Sequence, residues 1–536
     1  MARSQPFTVA CEGGLVTASN QIDLLRRPGV ATELENFEVS IEGGYRRISG
    51  FTKFGEGSAT QPTGSADRIN GVMPYADGVL VVVGNGLYFS QDGISWLQIN
   101  KLSAGAGDNY TTFTGLSASV RTGQGQATFV MFQSAGMDYG EVFIADNSTK
   151  DIFSFRMEGT GALNTRTFYG KEISPNGSST PVKYITSHDH HLIAAGLDGE
   201  ENTIYYSVYN NPNNFTGAGA GSVSISDTIV GIRGFREDLI VFCENSIHKL
   251  VNINDTSNIR VDPIAENVGC LSGYSIQEIG GDLVFLAPDG IRTVAGTARI
   301  GDVELGTVSK AIQPILTTVA QNVNNYQITS IVLREKSQYR LFYSNVNAVA
   351  AGQKGIIGTL RPNGFEWSET KGLEVTEIGS GFDTTGVEKY YHGNNSGYVF
   401  VHDSGNDFDG TAILARYATP DYDYGDLGTL KTLHYLKVSI AAEGLVTPEV
   451  QVKFDYNSGD VPQISSNYSL GTVNPSSIFG SAVFGTNIFG ASASPMLRTP
   501  LQGSGTSNNF TVITNDNKAP YRINGLYVDY IPSGRR

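Results

Sequence analysis

The sequence has little cysteine, little charge, little tryptophan and no long apolar run. Three cysteines in 536 residues, Cys11, Cys243 and Cys270, are odd in number and widely spaced. That pattern gives neither a disulfide framework nor the paired spacing of a zinc site, so folding in a reducing cytoplasm is expected. Charged residues make up 17%, and Lys plus Arg number 37 against 52 for Asp plus Glu, a net charge of −15. A general nucleic-acid binder needs the opposite balance to displace counterions from phosphate. No stretch approaches ~18 uninterrupted apolar residues, so no membrane span is expected. The opening residues, MARSQPFTVACEGG, contain no apolar core of signal-peptide length. Helical periodicity is confined to Ser309–Ala320, where Ile312, Ile315, Leu316 and Val319 share a face. This excludes a coiled coil or helical bundle. Gly-x-Ser-x-Gly, His-Glu-x-x-His and Gly-x-x-x-x-Gly-Lys-Ser/Thr signatures are all missing. The expectation is therefore no enzyme, no catalytic residue, no metal and no cofactor.

Glycine and aromatics are abundant: 64 Gly, 26 Tyr and 26 Phe. Many short strands joined by tight turns suit that profile. In Gly78-Val-Leu-Val-Val-Val-Gly84 a buried strand leads into Asn85-Gly86, a strong hairpin signal, and Leu87 opens the return strand. Similar strand-turn-strand units begin at Ala127, Val182, Ile229, Tyr274, Gln327 and Val375. About seven units at ~30–50 residue spacing predict an all-β chain with a β-propeller body, a β-sandwich array being the alternative. The divisions expected are 1–60, an N-terminal β segment with a basic turn; 61–408, the propeller; and 409–536, a β-rich, sandwich-like or subunit-contact module. The last contains Phe-Gly repeats in Ile478–Gly490.

Several motifs have a structural and a functional reading. Ser90-Gln-Asp92-Gly93-Ile-Ser95-Trp96 resembles an Asp-box, in which Asp caps turn amides and Trp packs between strands. Asp-boxes occur in glycosidases but away from the active centre. His188-Asp189-His190-His191 reads as a polar turn before a strand, with a metal edge as the alternative. Asp421, Asp423 and Asp426 echo a calcium loop without its full spacing or terminal Glu. Carboxylate pairs such as Glu200–Glu201 lie beside turns, and a glycosidase pair assembled from distant blades is not visible in sequence.

The most specific stretch runs from Gly13 to Gly55. It holds Asn20, Asp23-Leu-Leu-Arg26-Arg27-Pro28-Gly29 and Glu42-Gly-Gly-Tyr45-Arg46-Arg47. Arg-Arg-Pro-Gly is a rigid basic turn, Glu42–Tyr45 a hairpin tip, and Arg46 and Arg47 alternate faces beyond it. This stretch resembles the N-terminal region of the tail nozzle (tail tubular B) proteins of short-tailed bacteriophages. The resemblance implies a propeller-containing subunit of a six-fold ring in the virion tail, folded in the host cytoplasm. Genomic DNA would be retained in its lumen and ejected through it without sequence-specific binding. The implied partners are the chain itself, the adaptor and portal-proximal proteins, and as a further candidate the tail fibres. Arg26, Arg27, Pro28, Gly29, Arg46 and Arg47 are the expected assembly contacts, and no residue is assigned to the DNA-channel lining. An acidic lumen would repel phosphate over about one Debye length, ~8 Å. The alternatives are a propeller-type glycosidase and a receptor-binding tail protein acting on host surface glycan.

Overall fold

Strands make up 54% of the described residues and helices 7%, so the all-β class holds. The computed structural model describes residues 4–84, 86–99, 111–112, 125–146, 152–163, 166–255, 257–295, 307–345, 353–383, 385–459, 463–464, 467–473 and 496–535. The Phe-Gly repeats and the Asn85 half of the Asn85-Gly86 turn lie outside them.

Turn chemistry builds the blades. Asp189 and His190 both have positive φ, so Val182–His188 returns directly as His191–Leu197. That geometry matches the twist of a two-residue hairpin. Six separate antiparallel sheets form in this way, within residues 69–99, 111–173, 182–224, 229–266, 277–293 and 377–402, the last also taking Phe51–Lys53. They are the six blades of a β-propeller. Between the fifth and sixth, the ring is completed by Tyr326–Leu333, Gln338–Asn345, Lys354–Arg361 and Gly364–Lys371, four strands of a nine-stranded sheet. The seven units visible in sequence are these six blades and this inserted sheet.

Side-chain-free positions on the inner strands let the blades close up. A Cβ at Gly379 would stand 2.1 Å from the Val72 carbonyl oxygen, where Glu377–Phe382 meets Ile69–Tyr75. The apolar core is divided accordingly, with separate clusters between successive blades. Leu80, Val82 and Phe89 pack with Val142 and Phe155, for example, and Ile240 and Phe242 with Leu283 and Phe285.

The largest cluster runs from the fifth blade and the ring-completing strands, through Val284, Leu286, Ile328 and Leu341, into the additional β-rich region. There the nine-stranded sheet continues through Glu33–Glu35, Ile413–Ala418, Asn508–Asp516, Glu449–Phe454 and Tyr468–Ser469. A seven-stranded sheet built on Thr429–Ala442 and Tyr521–Arg535 includes Gln5–Ala10, Phe37–Val39 and Tyr45–Arg47. Phe37, Tyr45, Val438 and Val528 from this sheet pack with Tyr417, Val452 and Phe510 from the other. Residues 4–58 thus distribute strands among three sheets. Helix Gln313–Gln321, with Pro314 in its first turn, buries Leu316 and Val319 against the same core. Among the described residues no helix is long and apolar enough to cross a membrane. The three cysteines are free and buried, and burial pushes each thiol up to about 12.

Candidate functional site

The basic turn is rigid at its base and open at its tip. Asn20 Oδ1 accepts the Asp23 amide at 3.0 Å, capping the short helix Gln21–Leu25. Beyond it, the Pro28 and Gly29 carbonyls accept the hydroxyls of Tyr422 (2.9 Å) and Tyr45 (2.8 Å). A Cβ at Gly29 would sit 2.4 Å from the Ala10 carbonyl oxygen, so the turn needs glycine for close approach. Arg26 and Arg27 project from this frame into solvent, and among the described residues neither makes an ion pair. Ile22 beside them is 70% exposed.

Arg46 and Arg47 are instead engaged within the chain. Arg46 pairs with Glu38 at 2.8 Å and holds Glu443 through Nε (2.6 Å) and a terminal nitrogen (2.8 Å). Buried Glu38 also receives Lys336 (3.0 Å) and Arg340 (2.8 Å), which share Asp403 at 2.7 and 3.2 Å. Burial alone would raise the Asp403 carboxyl; Arg340 and Lys336 override it and hold it well below the usual range. Arg47 is fully buried, donating to Asp516 Oδ1 (2.9 Å) and to the carbonyls of Lys518, Asn406 and Asp516. The hairpin therefore fastens the N-terminal segment to propeller and C-terminal strands together.

The same network fixes a histidine tautomer. Arg340 donates to His402 Nε2 at 3.1 Å, so His402 carries its proton on Nδ1 and gives it to His392 Nδ1 at 3.2 Å. His392 is then protonated on Nε2, a buried atom without a hydrogen-bond partner in a ring perpendicular to Phe51. Burial depresses the His392 pKa to about 3.

Inner strands of the ring enclose a channel that sequence gave no signal for. One end opens as a cavity of about 450 Å³ lined by Arg233, Gln277, Glu278, Ser330, Arg334 and Ser380, among others. It shares Arg233, Gln277, Ser330 and Ser380 with a second cavity of about 270 Å³ that reaches Thr329 and Glu377. A third, of about 390 Å³, has Gln126, Lys183, Glu244 and Tyr274 in its walls. Glu377 accepts Gln327 Nε2 at 2.6 Å and Thr329 Oγ1 at 3.3 Å. Burial raises its pKa well above the ordinary value despite these bonds and nearby Arg68. Alternating apolar and polar residues along an inner strand do not reveal which side chain meets which across a ring.

The remaining motifs have structural roles. Asp92 Oδ1 accepts the Ile94 and Ser95 amides, both at 2.9 Å, and Ser90 Oγ accepts Gly93 N–H at 2.8 Å. Trp96 donates to the Thr60 carbonyl at 3.0 Å and packs against Phe54. His191 is held between Ser207 O (2.6 Å) and Asn254 Oδ1 (2.8 Å), while Asp189 and His190 form the turn. Asp423 and Asp426 accept the amides of Gly425 and Gly428, and Asp421 accepts Asn509. Among the described residues no group of three or more His, Cys, Asp or Glu is arranged to hold a metal.

No protein-family model and no curated protein matches the chain. Among solved structures, it is similar to the extracellular domain of a one-component system from B. thetaiotaomicron at a TM-score of 0.37 and 10% identity, covering 68% of this chain and 41% of that one. The extracellular domain of a hybrid two-component system from the same organism gives 0.35 and 11%, covering 66% and 39%. An exo-β-1,3-galactanase from Phanerochaete chrysosporium gives 0.27 and 9%, covering 90% and 100%. The chain thus spans about two fifths of the two extracellular domains. Similarity at these TM-scores bears on neither activity nor partners, and the propeller rests on the strand pairing of the chain itself.

Proposed function

We propose that this chain is a structural subunit of a phage tail, assembling with copies of itself into a ring-shaped nozzle through which genomic DNA is retained and ejected. The observation that carries the reading is the basic turn. Arg26 and Arg27 stand exposed, without an ion pair among the described residues, on a frame pinned by Tyr45 and Tyr422. Two exposed guanidinium groups on a held turn, with no carboxylate partner among the described residues, suit an acidic partner surface, and a chain of net charge −15 supplies acidic groups on every copy. Repeated head to tail, such a contact closes a ring, most simply the hexamer of the family that the segment resembles. Arg46 and Arg47 act differently in this reading: they lock the subunit, and Arg26–Gly29 joins it to its neighbour.

The propeller channel is ligand-sized, with cavities of about 450, 270 and 390 Å³. A duplex would therefore pass between subunits and not through one. The role is non-enzymatic, its place is the virion, and adaptor and portal-proximal proteins are its further partners.

The test is Arg26→Gln with Arg27→Gln. The double variant should melt as wild type does but lose ring formation in light scattering. Unchanged assembly of the variant would contradict the reading, as would release of reducing sugar from glycan by the wild type.

A further inference from the structure

We propose that the channel mouth around Arg233 binds a small solute through its oxyanion group, a carboxylate or a phosphate. The proposal goes beyond the structural role and needs only a single subunit.

Arg233 lies on the inner strand Ile229–Phe235, and its side chain is open to solvent and lines both the outer cavity and the second one. Among the described residues it has no hydrogen-bond or ion-pair partner. Its polar neighbours are already committed. Gln277 Nε2 donates to the Ser330 carbonyl at 2.9 Å, Ser330 Oγ to the Tyr274 carbonyl at 2.7 Å, and Arg334 pairs with Glu388. Of the groups around the outer cavity, Arg233 thus offers a guanidinium fork with all five donors available.

Neither nearby acid forms an ion pair with it among the described residues. Glu377, in the wall of the second cavity, is bonded to Gln327 and Thr329, and burial favours its neutral form. Glu278 at the mouth acts on Arg233 against the opposing charge of Arg334, and enclosure by the channel walls pushes the Arg233 pKa down. The fork matches the planar, paired oxygens of a carboxylate or phosphate. Ser380, in the wall of both cavities, adds a hydroxyl donor within the same space. A volume of about 450 Å³ is that of a small-molecule site. Its walls are held in place by the Gln277–Ser330–Tyr274 hydrogen bonds, so little ordering is needed on binding.

The experiment is isothermal titration of the purified full chain with inorganic phosphate and, separately, with malonate, at constant ionic strength set by chloride. The expected result is saturable one-site binding of at least one anion. Arg233→Gln should weaken it at least ten-fold, and Arg233→Lys, which keeps the charge and loses the fork, by a smaller factor. The Arg26→Gln, Arg27→Gln variant should bind as wild type does. Preference for one anion identifies the group recognised. Lack of saturable binding of both up to about 10 mM overturns the proposal, as does binding that survives Arg233→Gln or falls equally in the Arg26, Arg27 variant. Circular dichroism melting of each variant separates lost binding from lost fold, and Arg233→Lys carries the test if Arg233→Gln does not fold.

Discussion

Glu377 and Arg47 show how differently two buried charges act. Glu377 has a folded pKa raised above its unfolded value of about 4.5. The stability it contributes is therefore complete below that value and is lost as pH rises toward the folded pKa. Glu377→Gln keeps an acceptor for Gln327 and removes the titration, so the variant should gain on wild type between pH 5 and pH 8. Urea midpoints at both pH values check this, and an equal difference at the two would refute it. His392, depressed to about 3, contributes stability that is lost as pH falls from its unfolded value of about 6.5. Comparing variant with wild type at each pH cancels that opposing slope. Arg47→Met would leave Asp516 and three carbonyls without their donor, at an expected cost of about 3–5 kcal/mol in urea unfolding. Arg26→Gln or Arg27→Gln should stay within about 0.5 kcal/mol. Sequence placed all four arginines together as candidate contacts. The distant partners that divide them, Glu443 and Asp516, are hundreds of residues away and carry no local signal.

At the level of elements, the Asp-box was legible down to its hydrogen bonds, because Ser90, Asp92 and Gly93 act on amides within five residues. Asp92→Ala should cost about 1–3 kcal/mol and speed hydrogen exchange at the Ile94 and Ser95 amides. Protection unchanged at both would contradict that assignment. The strand-turn-strand units were legible for the same reason: Asn, Asp and Gly punctuate them, and each hairpin closes locally. What could not be read was exchange between distant segments. Phe51–Lys53 completes the last blade, and Glu33–Glu35 links Gly364–Lys371 to Ile413–Ala418. Three-residue strands are too short to show a period, and their partners are fixed only when the ring closes. The channel was hidden likewise, since Arg233, Gln277, Ser330 and Glu377 come from four different strands.

For the whole molecule, the two ends of the chain meet. Gln5–Ala10 pairs with Tyr521–Arg535, Arg46 and Arg47 hold Glu443 and Asp516 of the C-terminal region, and Glu38 joins the same segment to Lys336 and Arg340 of the ring. A chain stitched in this way is suited to bearing load as one body, with the basic turn as the proposed contact to a neighbouring copy. Six copies of a −15 chain would make a strongly acidic ring, along which a duplex slides and does not adhere. The most direct measurement is the mass of the purified chain in solution across a concentration series, by analytical ultracentrifugation. The account predicts a closed multimer of defined size, most simply six subunits, that reverts to the 57.4 kDa subunit in the Arg26→Gln, Arg27→Gln variant with no change in melting temperature. A wild-type chain that stays a monomer throughout, or a variant that assembles as wild type does, would contradict it.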